Sequence, residues 1–122
     1  MPFPFLLGMA FFILETIMVW ILLALAGLFE IAWVIGLKYS EGFSKPLPSI
    51  VTIIFLVLSM GLLSYCIKHL PVGTAYGIWT GIGAAGTAIL GMVLFNEPRE
   101  ALRLFFIFLI IAGIIGLKIT SS

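Results

Sequence analysis

Long apolar runs separated by short polar segments divide this chain into four predicted membrane spans. The runs cover residues 19–37, 47–67, 72–95 and about 102–119. Each is close to the roughly 20 residues that an α-helix needs to cross a bilayer. Lipid cannot satisfy the backbone of an open strand, so helices are the elements that fit. The sequence therefore predicts an all-α membrane protein with four transmembrane helices per chain.

The composition supports a membrane setting and argues against several other classes. The chain has 122 residues, of which 63% are hydrophobic and 9% charged. A soluble domain of this size has too high a surface-to-volume ratio to hide so much apolar surface, whereas lipid can solvate it. A net charge of +1 gives no sign of a nucleic-acid partner. The single Cys66 has no metal-site spacing around it, so we predict no cofactor. The sequence contains no nucleophile–base pair, phosphate loop or metal cluster, so we predict that the protein is not an enzyme.

The apolar segment at residues 1–17 has no obvious place in this scheme. The stretch from Pro4 to Glu15 is too short to span, and it lacks the positive start of a secretory signal. It fits an interfacial helix, an extension of the first span, or a start codon assigned too early. We favour the third interpretation, with Met18 as the start and residues 18–122 as the four-helix transmembrane domain.

The distribution of basic residues permits insertion in both orientations. Two of the six Lys and Arg residues fall on one side of the predicted membrane and four on the other, a weak bias. Four short helices cannot enclose a binding site together with a path that has two gates. Many transporters solve this with inverted repeats in one chain, and we find no internal repeat here. We therefore expect an antiparallel homodimer, in which a second copy supplies the inverted half.

Glu30 is the candidate centre of function, because it lies in the middle of the first apolar run. A carboxylate at that depth costs roughly 2.5–3.5 kcal/mol on insertion scales, so such acids are functional by default. The simplest use is to hold a proton and exchange it for a cation. The alternative is a structural hydrogen-bond partner. The remaining acids near the span ends, Glu41, Glu97 and Glu100, are interpreted as loop charges.

Helical spacing places an aromatic residue and a glycine beside this acid. Gly27, Glu30 and Trp33 stand three residues apart and share one face of the first span. Gly27 lets a backbone or a ligand approach, and Trp33 provides an aromatic wall. An interfacial aromatic belt is the plain alternative for Trp33.

The second and third spans add further polar and aromatic groups. Ser59 lies near the centre of the second span, and Tyr76 and Trp79 share a face of the third. Together with Glu30 they predict a mid-membrane pocket for a small cation with N–H donors. Guanidinium fits, since it pairs with carboxylates and stacks on aromatic rings. As alternatives, Ser59 bonds its own helix and the aromatic residues lie at the interface.

Glycines in the last two spans predict a bend and a helix contact. Gly81 and Gly83 form a glycine pair near the bilayer middle, which is an identifiable cause of a kink. Ala112, Gly113 and Gly116 give the fourth span a narrow face, which allows close approach of another helix. We interpret that face as the dimer contact.

Three segments together resemble the small multidrug resistance family. They read GLFEIAWVIGLKYSEGF, PVGTAYGIWTGIGAAG and AGIIGLK. The resemblance runs from residue 18 to residue 122. It is closest to the guanidinium-exporter branch, on the evidence of Gly27, Trp33 and the Lys118 that ends the chain's last apolar run. Physics alone would make Lys118 an anchor at the membrane surface.

The resemblance implies an antiparallel, dual-topology homodimer, a multi-pass protein that we expect in the cell inner membrane. Protons and substrate exchange through paired glutamates at the position of Glu30, and the Gly81–Gly83 pair is the bend. Ser59 and Trp33 are implied to hydrogen-bond the glutamate. The implied binding-site positions are Gly27, Trp33, Ser59, Tyr76 and Trp79.

The predicted mechanism is proton-coupled antiport of guanidinium. Burial and a nearby second glutamate both disfavour the charged carboxylate, and the two should titrate as a coupled pair. Guanidinium stays protonated, so it binds only after protons leave, and this competition couples the flows. Two alternatives stay open. One is export of quaternary ammonium or lipophilic cations, which lack N–H donors. The other is a passive ion channel or a structural membrane subunit.

Overall fold

The computed structural model describes residues 2–121, which fold into four α-helices. They are α1 (Pro2–Ser40), α2 (Pro46–Cys66), α3 (Val72–Leu94) and α4 (Ala101–Thr120). All four are long and apolar enough to cross a membrane. The prediction of an all-helical fold with four helices of membrane-spanning length and apolarity is therefore confirmed for residues 2–121. The bounds of α2, α3 and α4 lie within one residue of those predicted, whereas α1 begins much earlier.

Small polar side chains hold α1 and α2 together. The Ser59 hydroxyl donates a hydrogen bond to the Ala26 carbonyl at 2.7 Å. Nearer the other end of α2, Thr52 packs against Gly36, where an added Cβ would lie 2.7 Å from the threonine Oγ1. Ser59 and Thr52 are both fully buried. The residue number rises from Ala26 to Gly36 on α1, while that of its partner falls from Ser59 to Thr52 on α2. The two helices therefore run antiparallel and close together.

Glycines allow α3 to pack closely against α1, and the two helices run parallel. An added Cβ on Gly27 would lie 2.7 Å from Ile82, and one on Gly86 would collide with Ile31. Each contact joins residues 55 positions apart, so α1 and α3 are parallel. The close approach follows from the missing side chains, as in other membrane helix contacts.

A different face of α3 receives α4. Gly77 packs against Leu117, and Gly81 packs against Ile114 with an added Cβ only 2.7 Å from its Cγ1. The pairing runs in opposite directions, so α3 and α4 are antiparallel. The α-helix continues unbroken through Gly81 and Gly83, and a bend at this pair stays a prediction.

The fourth helix is the most exposed of the four. Ile107 is its one buried residue. Among residues 2–121 its Cα atoms approach those of α3, and not those of α1 or α2. An apolar helix with so little of its surface covered is available to lipid or to another chain.

The first helix extends far beyond the bundle. Its 39 residues correspond to about 58 Å, roughly twice the hydrocarbon thickness. Its buried residues begin at Val19, which accepts a contact from the Cys66 thiol at the end of α2. Residues 2–18 are all exposed. The segment is thus helical and continuous with the first span, and translation from Met18 stays a prediction.

We expect a variant that begins at Met18 to fold as stably as the full chain, because none of residues 2–18 is buried. The measurement is the apparent Tm and the size-exclusion profile of both proteins in the same detergent. As a control, a variant that begins at Ala24 also lacks Val19 and Leu23 and should lose stability. A Met18 variant as damaged as the Ala24 variant would contradict this expectation.

Candidate cation site

Glu30 lies on the buried stripe of α1. This stripe runs through Val19, Leu23 and Ala26 at helical intervals of four and three residues, and the next step of four reaches Glu30. The side chain therefore faces the other helices. It meets Gly83, at the midpoint of α3, where an added Cβ would lie 2.9 Å from the carboxylate carbon. The acid thus lies level with the middle of α3, and its depth in a membrane stays a prediction.

One carboxylate oxygen of Glu30 is left without a partner. Oε2 is hidden from solvent and makes no hydrogen bond within the described chain. Buried polar atoms are nearly always hydrogen-bonded, so such an exception calls for an explanation. A proton or a cation with N–H donors is the kind of group that satisfies a carboxylate oxygen in this setting.

A polar pair links α2 and α3 one turn away from the acid. The Trp79 indole Nε1 donates to the Ser59 hydroxyl at 2.9 Å, and that hydroxyl donates to the Ala26 carbonyl. In an α-helix the same carbonyl accepts the N–H of Glu30, four residues on. Ser59 and Trp79 are both buried. The structure therefore brings these two predicted site residues together, one helical turn from the acid.

The hydrogen bonds that the family resemblance implied for Glu30 are not formed. Ser59 has one hydroxyl proton, and it is given to Ala26 rather than to the carboxylate. The Trp33 indole Nε1 is buried and has no partner within residues 2–121. Glu30 and Trp33, three residues apart on one face, thus each carry an unpaired polar atom.

The two remaining predicted site residues have different surroundings. Gly27 is buried under Ile82, so here it serves the close contact of α1 with α3. Tyr76 is 55% exposed, and its ring lies 5.6 Å from that of Trp79. It therefore extends the aromatic surface of Trp79 outward. Roles for Gly27, Tyr76 and the others in binding stay predictions.

A cavity of about 500 Å³ leads from Glu30 along α3 to the end of the bundle. Gly83 and Thr87 lie beside it at the level of the acid and one turn further on. Lys38 also lines it, eight residues and about 12 Å further along α1. Three charged residues at this end were not among the predicted site residues, and they are Lys38, Glu97 and Arg103. The one available signal was their position at or near the ends of the predicted spans.

Lys118 lies apart from this cavity. Its ammonium stands 4.8 Å from the centre of the Trp20 ring on α1, a cation–π contact. It lines a separate, apolar cavity of about 290 Å³ between α1, α3 and α4. Lys118 is thus not near Glu30, and its role as a signature of the exporter branch stays a prediction. Within residues 2–121 no cluster of His, Cys, Asp or Glu is placed to hold a metal ion.

Comparison with known proteins decides the family. The sequence pattern of the Small Multidrug Resistance protein family matches residues 18–110. The chain belongs to this family. The resemblance drawn from the sequence motifs is thereby confirmed.

Several relatives carry the name "Guanidinium exporter". The protein from Yersinia pseudotuberculosis serotype I is 57% identical over 104 residues, and the one from Proteus vulgaris is 56% identical over the same length. Each match covers 85% of this chain and 100% of the relative. The Escherichia coli K12 relative is 52% identical over 85% of this chain and 99% of its own. The chain is thus similar over its bundle to transport proteins of this family.

We expect Gly83→Ala to destabilise the bundle by about 1–3 kcal/mol, the usual cost of overpacking, because the new methyl collides with the Glu30 carboxylate. The measurement is unfolding in detergent. Gly61→Ala is the control, since an added Cβ there meets nothing within 4 Å.

A double variant tests the contact itself. Glu30→Ala makes room for the methyl, so Gly83→Ala should cost much less in that background, as expected for residues in contact. Equal costs of Gly83→Ala in both backgrounds would contradict the geometry.

Proposed function

We propose that this protein is a proton-coupled antiporter that exports guanidinium and related small guanidinyl cations. The observation that carries the proposal is the Glu30 carboxylate, which packs at the midpoint of α3, has an oxygen without a partner within residues 2–121, and lines a cavity that leads to the end of the bundle. The names of the relatives, at 52–57% identity over most of the chain, supply the substrate.

The chemistry of the site suits this cation. A guanidinium is planar and weakly hydrated, and it donates paired hydrogen bonds to a carboxylate. We assign Trp79, held by Ser59 one turn from Glu30, as the aromatic ring that stacks on such a cation. Protons and guanidinium compete for the one carboxylate. When the carboxylate releases a proton on one side of the membrane, it can bind a cation on that side. This exchange couples the proton flow to a cation flow in the opposite direction.

The proposal includes an antiparallel homodimer with both orientations in the cell inner membrane. Support comes from α4, which is almost entirely exposed. An added Cβ on Gly113 or Gly116 would meet nothing within 4 Å in the single chain, although small residues in membrane helices usually face a neighbour. With Ala112 they form the face that we assign to the second copy.

Alternating access requires that α3 change its relation to its neighbours. Gly83 contacts Glu30 on α1, whereas Gly81 contacts Ile114 on α4. A bend at this pair would move the α4 contact relative to the acid, and so change which end of the cavity is open. We propose that residues 18–122 contain the whole of this machinery.

Glu30→Gln should abolish guanidinium-driven proton movement, because glutamine carries no exchangeable carboxyl proton. The measurement uses purified protein in liposomes with a guanidinium gradient and a pH-sensitive dye inside. Glu30→Asp should retain the exchange and shift its pH dependence to lower pH, since aspartic acid is the stronger acid and frees its carboxylate for the cation earlier.

The controls separate this mechanism from its rivals. Glu41→Gln removes an exposed acid in the turn just after α1, outside the cavity, and should leave the exchange intact. Tetra-alkyl ammonium driving proton movement better than guanidinium would favour multidrug export instead. Collapse of a pH gradient without any counter-transported cation would indicate a channel and refute antiport.

Gly113→Leu should weaken the dimer, because a large side chain on the small face of α4 prevents close approach. The fraction of dimer after brief cross-linking in lipid is the readout. Gly61→Leu is the matched control, since its surroundings are equally open but it lies on α2. If both variants cross-link as well as the unmodified chain does, α4 is not the dimer contact.

A further inference from the structure

A second carboxylate faces the same cavity as Glu30. Glu97 lies in the connection between α3 and α4, after Asn96, whose positive φ of 53° reverses the chain. This turn lays the Glu97 side chain over Gly91, where an added Cβ would lie 2.9 Å from the carboxylate carbon. Glu97 is therefore half-buried at the outer end of the cavity and does not extend freely into solvent.

Glu97 already binds a guanidinium group, that of Arg103. The Arg103 Nη2 donates to the Glu97 Oε1 at 2.9 Å. An arginine side chain ends in the same planar guanidinium cation as the proposed substrate, but that group is attached to the protein. A carboxylate that accepts N–H donors from one can accept them from the other.

The bond to Arg103 is of the kind that a competing cation can break. The two side chains are 36% and 43% exposed, and exposed ion pairs are weak. Arg103 is the third residue of α4, where the positive end of the helix dipole disfavours a cation, and no acid stands in that first turn. Its Nε atom is buried and has no hydrogen-bond partner among the described residues.

We propose that Glu97 is an outer docking site for the guanidinium cation, which displaces Arg103 there before it passes inward to Glu30. One guanidinium replaces another, so the charge held by Glu97 does not change. Without Glu97 the outer end would present Lys38 and Arg103, two positive charges, to an incoming cation. The inference rests on the proposed function and adds a second binding step to it.

The test compares KM values for guanidinium in the liposome assay. Glu97→Gln should raise KM by about two- to five-fold, the scale of one exposed ion pair, while the rate at saturating guanidinium is retained. Glu100→Gln removes the same charge three residues later, outside this cavity, and should leave KM unchanged. Equal KM values for Glu97→Gln and Glu100→Gln would overturn the proposal. A loss of the saturated rate would also overturn it, because Glu97 would then belong to the exchange step.

Two further variants separate direct contact from long-range charge. Arg103→Gln removes the competing cation and should lower KM, and it carries the test if Glu97→Gln does not fold. The double variant Glu97→Gln/Arg103→Gln has the same net charge as the natural chain. Its KM stays raised if Glu97 contacts the cation, and a return to the natural value overturns the proposal.

The unmodified protein serves as the reference for both hypotheses. If it moves no protons in response to guanidinium, the proposed function itself is wrong. If it does so and Arg103→Gln leaves KM unchanged or raises it, only the outer site is wrong.

Discussion

The packing of the Glu30 carboxylate against Gly83 is the constraint on which the rest of the structure depends. Any side chain at position 83 would push α1 away from α3 or turn the acid aside. The same glycine thus sets both the distance between the two helices and the depth of the acid. The Ser59–Trp79 hydrogen bond then fixes α2 and α3 at the matching level of α1. The position of the acid is in this sense a product of helix packing, with no dedicated hydrogen bond to hold it.

The sequence was sufficient for the four apolar helices, for the family and for an acid that faces the other helices, because apolar length and the cost of a buried charge are local properties. It could not say which glycine meets which neighbour. Gly27 was expected to let a backbone or a ligand approach, and it lies under Ile82 of α3, whereas Gly83 receives the carboxylate. That choice depends on how the helices are rotated against each other, which spacing within one helix does not specify.

Two other features were beyond the reach of local patterns. Glu97 does lie in a connection, as expected for a loop charge, but the reversal at Asn96 directs it to the cavity. The segment before Met18 is apolar enough for several placements. It continues α1 because nothing between Pro4 and Ser40 interrupts a helix, and prolines are tolerated in a first turn.

Chain order makes two helical hairpins, α1 with α2 and α3 with α4, which α1 and α3 join by packing against each other. The cavity of Glu30 lies along this seam between α1 and α3. Since the backbone of α4 approaches only α3 within residues 2–121, a tilt of α3 carries α4 with it. In the proposed antiport, such a tilt would open the seam at one end and close it at the other, with the pivot near Glu30. The width of the seam at each end is then the distance that would report the proposed motion.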